Sequence, residues 1–273
     1  WCALSSVWGG DQPMKATKAT MKDLEEGLPA SRFPRTIQDA ATVALSVGIP
    51  YMWIDSLCII QDDPNDLALQ LGDMPNIYHH ALVTITASSA RSVHKSFLHD
   101  RGHSYSTLPP VALRYKSSHG SDGRILFLEP QIQTDQREDF SEPIDERGWT
   151  YQERLLSPRA LIYTRKQLIW SCETLDRIAG DPRPDEQSGD NTGWEDRLSG
   201  DLESIQEDSH IDGVLEGSRE AVQHTWGQWA AIVEAYTARN LSNPDDKLPA
   251  ISALARTYHA RFSLTYLAGL WKE

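Results

Sequence analysis

Two rhythms of apolar and polar positions alternate along the first third of the chain, one of period two and one of about 3.6. The run "ALSSVW" (3–8) is short and apolar and is closed by Gly9-Gly10, which predicts a strand running into a loop. After a polar stretch, Ile37, Ala40, Ala41, Ala44 and Leu45 fall on one face of a predicted helix. Thr36 is placed to cap that helix, Asp39 stands near the capping-box position, and Gly48 supplies the stop. The run "YMWIDSLCII" (51–60) is apolar except for Asp55 and Ser56, and predicts a second strand. Asp63-Pro64 then opens another helix, with Leu67, Leu71, Met74 and Tyr78 at spacings of four, three and four. Pro75 lies inside that pattern and predicts a kink or two shorter helices, because it removes one backbone donor and crowds the carbonyl of Leu71. "ALVTITA" (81–87) is β-branched and reads as a third strand.

Strand, helix, strand, helix, strand in that order implies an α/β fold, a flavodoxin-like parallel sheet flanked by helices. Residues 91–145 break the rhythm and read as an insertion with two candidate strands, "VALRY" and "RILFLE". The alternation resumes at "RGWTYQERLLSPR", a short helix ended by Pro158, followed by "ALIYT" and "QLIWSC" flanking Arg165-Lys166 as a hairpin or two edge strands. Near the end, Val222, Trp226, Trp229, Val233 and Tyr236 space as an amphipathic helix, and Leu248, Ile251, Leu254 and Tyr258 as a second. The organisation expected is a core over 1–172 with an insertion at about 91–145, an acidic loop over 173–218, and C-terminal helices over 219–273 packed on the core.

Charge changes this picture in one place. The 273 residues carry a formal charge of −13, but residues 173–218 hold 14 Asp or Glu against 3 Arg and so account for −11 of it. That segment has the composition of a solvated loop, and the nearly neutral remainder has no basic stripe, which disfavours nucleic-acid binding. No run approaches the roughly 18 apolar residues of a membrane helix, and WCALSSVWGG lacks the basic flank and apolar core of a signal peptide. The absent start Met reads as an excised domain, and Cys2, Cys58 and Cys172, three in number and set in apolar segments, as buried reduced thiols of a cytoplasmic protein.

The candidate chemistry centres on Asp55. A lone carboxylate in a buried strand costs several kcal/mol unless it is hydrogen-bonded or lies where the strand emerges. Open α/β sheets bind ligands outside the carboxyl ends of their strands, so Asp55 and Gln61 point to the expected cleft, with Ser5 and Trp8 meeting them from strand one. The alternative is that Asp55 caps a loop or pairs with Arg147 or Arg154. A magnesium cage of Asp55, Asp62, Asp63 and Asp66 is disfavoured, because the last three suit the start of a helix. A Cys58 nucleophile with His79 or His80 is disfavoured by its apolar strand, and neither a Walker loop nor a GxGxxG is present. No metal or resident cofactor is expected.

"ALSSVWGG", "TIQDAATVALSVGIPYMWIDSLCIIQDD", "MPNIYHHALVTITASSA", "RGWTYQERLLSPRALIY" and "YLAGLW", in that order, resemble the fungal heterokaryon-incompatibility (HET) domain. The chain departs from the family at Ser6, where a Tyr is usual. The HET domain is in turn distantly similar to TIR domains, whose helix marked by Trp, a spacer and Glu-Leu is comparable to the stretch of Trp149, Glu153 and Leu155. This likeness implies a TIR-like fold in which Glu153 is the catalytic residue and NAD, or a related nucleotide, the substrate. It implies further that Trp8, Trp53 or Trp149 stacks on a ring of that nucleotide, and that Arg147 or Arg154 holds its pyrophosphate. Gln152, beside Glu153 in the QER motif, counts with the supporting residues. The expected role is cell death on non-self recognition between fungal strains, by NAD hydrolysis in a self-associated state under a regulatory incompatibility partner. The alternative is a non-enzymatic death-signalling module.

Overall fold

Every residue of Cys2–Ser5 (β1) is buried, and the strand lies inside a six-stranded sheet. The sheet order is β2 (Met52–Trp53), β1, β3 (Val83–Thr86), β6 (Arg159–Tyr163), β7 (Leu168–Cys172) and β8 (Leu175–Ile178). The first four strands are parallel, while β7 runs antiparallel to β6 and β8 antiparallel to β7. These features come from a computed structural model that describes residues 1–101, 111–116, 122–127, 141–172, 175–178, 219–262 and 265–272. Residues His99–Ser141 form a compact unit of their own, in which β4 (Val111–Lys116) pairs antiparallel with β5 (Asp122–Phe127). The other unit comprises Trp1–Leu98 and Glu142–Glu273 and holds the six-stranded sheet.

The period-two rule divides the work of β1. Cys2 and Leu4, with Val83 and Ile85 of β3, belong to a cluster that also holds Ile37, Ala40, Val43 and Ala44 of α2 (Arg35–Ser46). Ala3 points the other way, to Met74 and Tyr78 of α4 (Pro64–His80). Ser5, two residues on, shares that second face. Fully burying such apolar side chains contributes about 1.5–3 kcal/mol each. A third cluster joins Tyr151 of α5 (Gly148–Leu155) to α6 (Arg219–Thr237), α7 (Pro249–Phe262) and the hairpin of β9 (Thr265–Leu267) and β10 (Leu270–Lys272). Helix α5 thus has packed neighbours all round, and Thr150, Tyr151, Gln152 and Glu153 are buried in succession.

The structure corrects several sequence expectations. The strand over 51–60 ends at Trp53, and Asp55–Cys58 form a short helix, α3. Asp55 accepts the N–H of Ser56 on its own side chain at 2.7 Å, and such local side-chain bonds divert the backbone from a ladder. Strand one stops at Ser5 rather than reaching Trp8. Helix α2 begins at Arg35, with Pro34 in place of Thr36 at the cap. Thr36 and Asp39 instead tether the segment after β3: Thr36 donates to the Lys95 carbonyl at 2.7 Å, and Asp39 accepts from Ser96 at 2.5 Å and from the Phe97 N–H at 3.1 Å. Gly48 does stop that helix, at φ +77°, but Leu45 is 70% exposed and off the core face. Helix α4 runs unbroken through Pro75, held on either side by the buried Met74 and Tyr78. Asp63 caps it, accepting from the Asn65 N–H at 3.0 Å, with Pro64 first in the helix as expected.

The acidic segment is not loop throughout, because Leu175–Ile178 extend the sheet as β8. The rest of the expected loop, 179–218, lies outside the described residues. The C-terminal stretch is not purely helical either, since "YLAGLW" folds as the β9–β10 hairpin around Ala268-Gly269. Cys2 is buried, Cys172 is half-buried and Cys58 is exposed, against the expectation of three buried thiols.

Candidate active site

The order β2-β1-β3-β6 places the second strand on one side of β1 and the third on the other. Such a reversal is a topological switch point, and open α/β sheets take their ligands there, outside the carboxyl ends of the strands. Ser5, Ser6 and Trp8 lie there by virtue of following β1. Helix α5 brings Glu153 against the same end, and α3 brings Asp55.

Glu153 is 5% exposed. Its Oε2 accepts the Ser5 hydroxyl at 2.5 Å, and the Tyr78 hydroxyl, which donates to the Leu4 carbonyl at 3.1 Å, also hydrogen-bonds with it. Burial pushes the Glu153 pKa from 4.5 up to about 7, and the nearby Asp55 charge pushes the same way. The Ser5 bond, the Arg147 guanidinium and the Tyr78 bond pull it down by less. Asp55 is raised by burial too, against the opposing pull of Arg147, Trp8 and the Ser56 N–H. Tyr78 is raised well above an ordinary phenol by burial, then by the Glu153 and Asp55 charges. Burial and a second carboxylate nearby thus raise Glu153 against the pull of one arginine, a combination that recurs at functional sites.

Asp55 does not pair with Arg147 or Arg154. Its Oδ2 accepts the Trp8 indole N–H at 2.7 Å. Arg147 is placed by its Nη1, which donates to the Ser6 carbonyl at 2.6 Å, and its guanidinium faces the Trp8 ring at 5.9 Å. Gln61 acts as a prop, donating from Nε2 to the carbonyls of Asp55 at 3.1 Å and Ile59 at 3.0 Å. Ser5, Trp8, Asp55, Arg147 and Glu153 therefore form one constellation.

The remaining candidates go elsewhere. Trp53 meets Tyr78 edge to face at 5.6 Å and lines an open groove of about 260 Å³ with Trp1, Tyr51, Met52 and Ile77. Trp149 donates its indole N–H to Asp246 at 3.0 Å, and Arg154 donates to Ser171 of β7 at 3.1 Å. Gln152 is buried within α5 with its Oε1 unbonded. Asp62 accepts the Lys18 N–H at 2.8 Å and Asp66 the Ile60 N–H at 2.7 Å, so these acids stabilise local backbone. Cys58 is exposed, and His79 and His80 meet edge to face at 5.0 Å.

Tyr78 was not legible as a site residue, because it continues the apolar stripe of α4 and only the fold shows its hydroxyl at the end of β1. Among the described residues no group of three or more His, Cys, Asp or Glu stands together as a metal site, and no helix is long and apolar enough to cross a membrane.

The order of the parallel strands and the acids Glu153 and Asp55 at the switch point define a doubly wound α/β domain with its polar site where that class takes small ligands. The family model described as "Heterokaryon incompatibility protein (HET)" matches residues 1–153, more than half of the 273, and the chain belongs to that family. No curated protein and no solved structure matches it.

Proposed function

We propose that this chain is a heterokaryon-incompatibility effector that hydrolyses NAD, or a related nucleotide, at the nicotinamide ribosyl bond when self-associated in the cytoplasm. The observation that carries the reading is the Glu153–Asp55 carboxylate pair at the carboxyl ends of β1 and β3. The likeness of the WTYQERL stretch to the TIR glutamate helix supplies the reaction class.

In this reaction the bond between ribose C1′ and the pyridinium nitrogen breaks and its electron pair goes to the ring, which leaves as neutral nicotinamide. Water adds to C1′ and gives up one proton, leaving the ribosyl diphosphate nucleotide product. No acid is needed for the leaving group. The ribosyl centre becomes cationic in the transition state, and an ionised carboxylate beside it is the stabiliser glycosidases use. Glu153, half ionised near pH 7, supplies that charge and is basic enough to accept the proton of the attacking water. Trp8, whose ring is fixed by its bond to Asp55, is the aromatic surface for the base. Arg147 has only Nη1 engaged among the described residues, so its remaining donors are available for a diphosphate.

The same burial motivates the rival reading, a death-signalling module in which Glu153 and Ser5 only fix packing. An NMR or chromatographic assay of nicotinamide release by concentrated protein, with Glu153→Ala in parallel, separates them. The hydrolase reading expects release that rises with protein concentration and falls at least about 10²-fold in the variant. Assembled wild type that releases none, or a folded variant that matches it, sinks that reading.

A further inference from the structure

Helix α5 is only eight residues long, and no side chain caps its start at Arg147. Helices that short do not hold themselves, and their first N–H groups need outside acceptors. The acceptor is the connection between α6 and α7. The Gly148 N–H donates to the Asn240 carbonyl at 2.8 Å, and the Asn240 N–H donates to the Glu146 carbonyl at 2.6 Å, so Arg147 sits inside a two-bond parallel bridge. Arg239, its side chain 6% exposed, lies over the Tyr151 ring at 4.6 Å, reaches the Arg147 carbonyl at 3.5 Å and Asp145 at 4.0 Å. Asp246 takes the Trp149 indole N–H. Leu241 closes over Gly148 so tightly that a Cβ there would stand 2.6 Å from its Cδ2.

All of these contacts converge on residues 145–151, which place Arg147 on the Ser6 carbonyl and start the helix that delivers Glu153. Yet residues 239–246 lie outside the 1–153 that the family model matches. We infer that the α6–α7 connection is a positioning element of the Glu153 site, with Arg239 and Asp246 fixing Arg147 and the first turn of α5. The functional domain therefore extends beyond its family-matched part. This rests on Glu153 as the working carboxylate, and it assigns Arg239 and Asp246 no contact with substrate.

The test follows the Glu153 carboxyl by ¹³C NMR titration of the full chain, assigned with Glu153→Gln. In the wild type the expected midpoint is about 7, set by burial and Asp55 on one side and Ser5, Arg147 and Tyr78 on the other. In Asp246→Ala and Arg239→Ala the loosened Arg147 lowers it less, and the midpoint rises by about half a pH unit or more. Asp246→Asn keeps an acceptor for the Trp149 N–H and retains the wild-type midpoint. Ala253→Gly, which weakens α7 away from these contacts, also leaves it in place. Should Arg239→Ala fail to fold, the Asp246 pair decides alone. An unmoved midpoint in folded Asp246→Ala, or an equal shift in Asp246→Asn, overturns the inference. No substrate enters the titration, so a wild type that releases no nicotinamide overturns the hydrolase reading and leaves this one standing.

Discussion

Glu153 carries opposite demands. The proposed hydrolysis near neutral pH needs it ionised, while a site with 5% exposure and Asp55 nearby favours its proton. The folded pKa of about 7 lies above the 4.5 of the free side chain, so between those values the native state binds more protons than the unfolded one. Protonated Glu153 therefore contributes its full stability below pH 4.5, and that contribution is lost as pH rises through about 7, by roughly 3 kcal/mol in all. Glu153→Gln removes that loss while keeping an acceptor for Ser5. Urea unfolding should find the variant more stable than wild type by roughly 1–3 kcal/mol at pH 8 and similar to it near pH 4. The neighbours tune the same group in opposite senses. Asp55→Asn removes the charge that raises Glu153 and should lower its titration midpoint. Ser5→Ala removes a bond that lowers it and should raise the midpoint. Both shifts are read in the NMR titration.

At the scale of elements, the short helices are held from outside. The tether from α2 to residues 92–98 runs through Asp39, which is 2% exposed and also meets the Arg35 Nε at 3.1 Å. Asp39→Ala strands the Ser96 hydroxyl and the Phe97 N–H and should cost about 2–4 kcal/mol, read from the urea midpoint. Gly148→Ala drives a methyl into Leu241 and Tyr236 and should cost about 1–3 kcal/mol. Neither partner was legible in the sequence. Thr36 and Asp39 had the spacing of a capping box, and local pattern does not say that a loop fifty residues on competes for the same side chains. The apolar run at 51–60 likewise fits a strand by hydrophobicity alone, and the Asp55–Ser56 pair turned it into α3 through one local hydrogen bond. Elements with strong periodicity or clear caps, such as α4 with its Asp63-Pro64 start, were legible to the residue.

For the whole molecule, the alternation of strand and helix was enough to give a doubly wound α/β core and to direct attention to the carboxyl ends of its strands. Ser5, Trp8, Asp55 and Arg147 were candidates on that ground or by likeness to a family, and the fold brings them round Glu153. Their pairing was not legible, because it depends on register: Ser5 reaches Glu153 only because it shares a face with Ala3, and Asp55 meets Trp8 rather than an arginine. Trp53, Trp149 and Arg154 had the same chemistry in the sequence, but their side chains meet Tyr78, Asp246 and Ser171, and proximity in sequence to Glu153 or Asp55 did not give those partners. The sheet also continues beyond its parallel part through β7 and β8, and the C-terminal helices and hairpin hold α5 from the other side. The site is thus built from both ends of the chain.

The pH profile of nicotinamide release tests the central claim, that Glu153 acts as an ionised carboxylate tuned by Asp55, most directly. The account predicts a rate that rises with pH to a plateau above about 7 in the wild type, the same rise at lower pH in Asp55→Asn, and no measurable release from Glu153→Gln. A profile flat from about pH 5 to 9, or a Glu153→Gln variant as active as wild type, contradicts it.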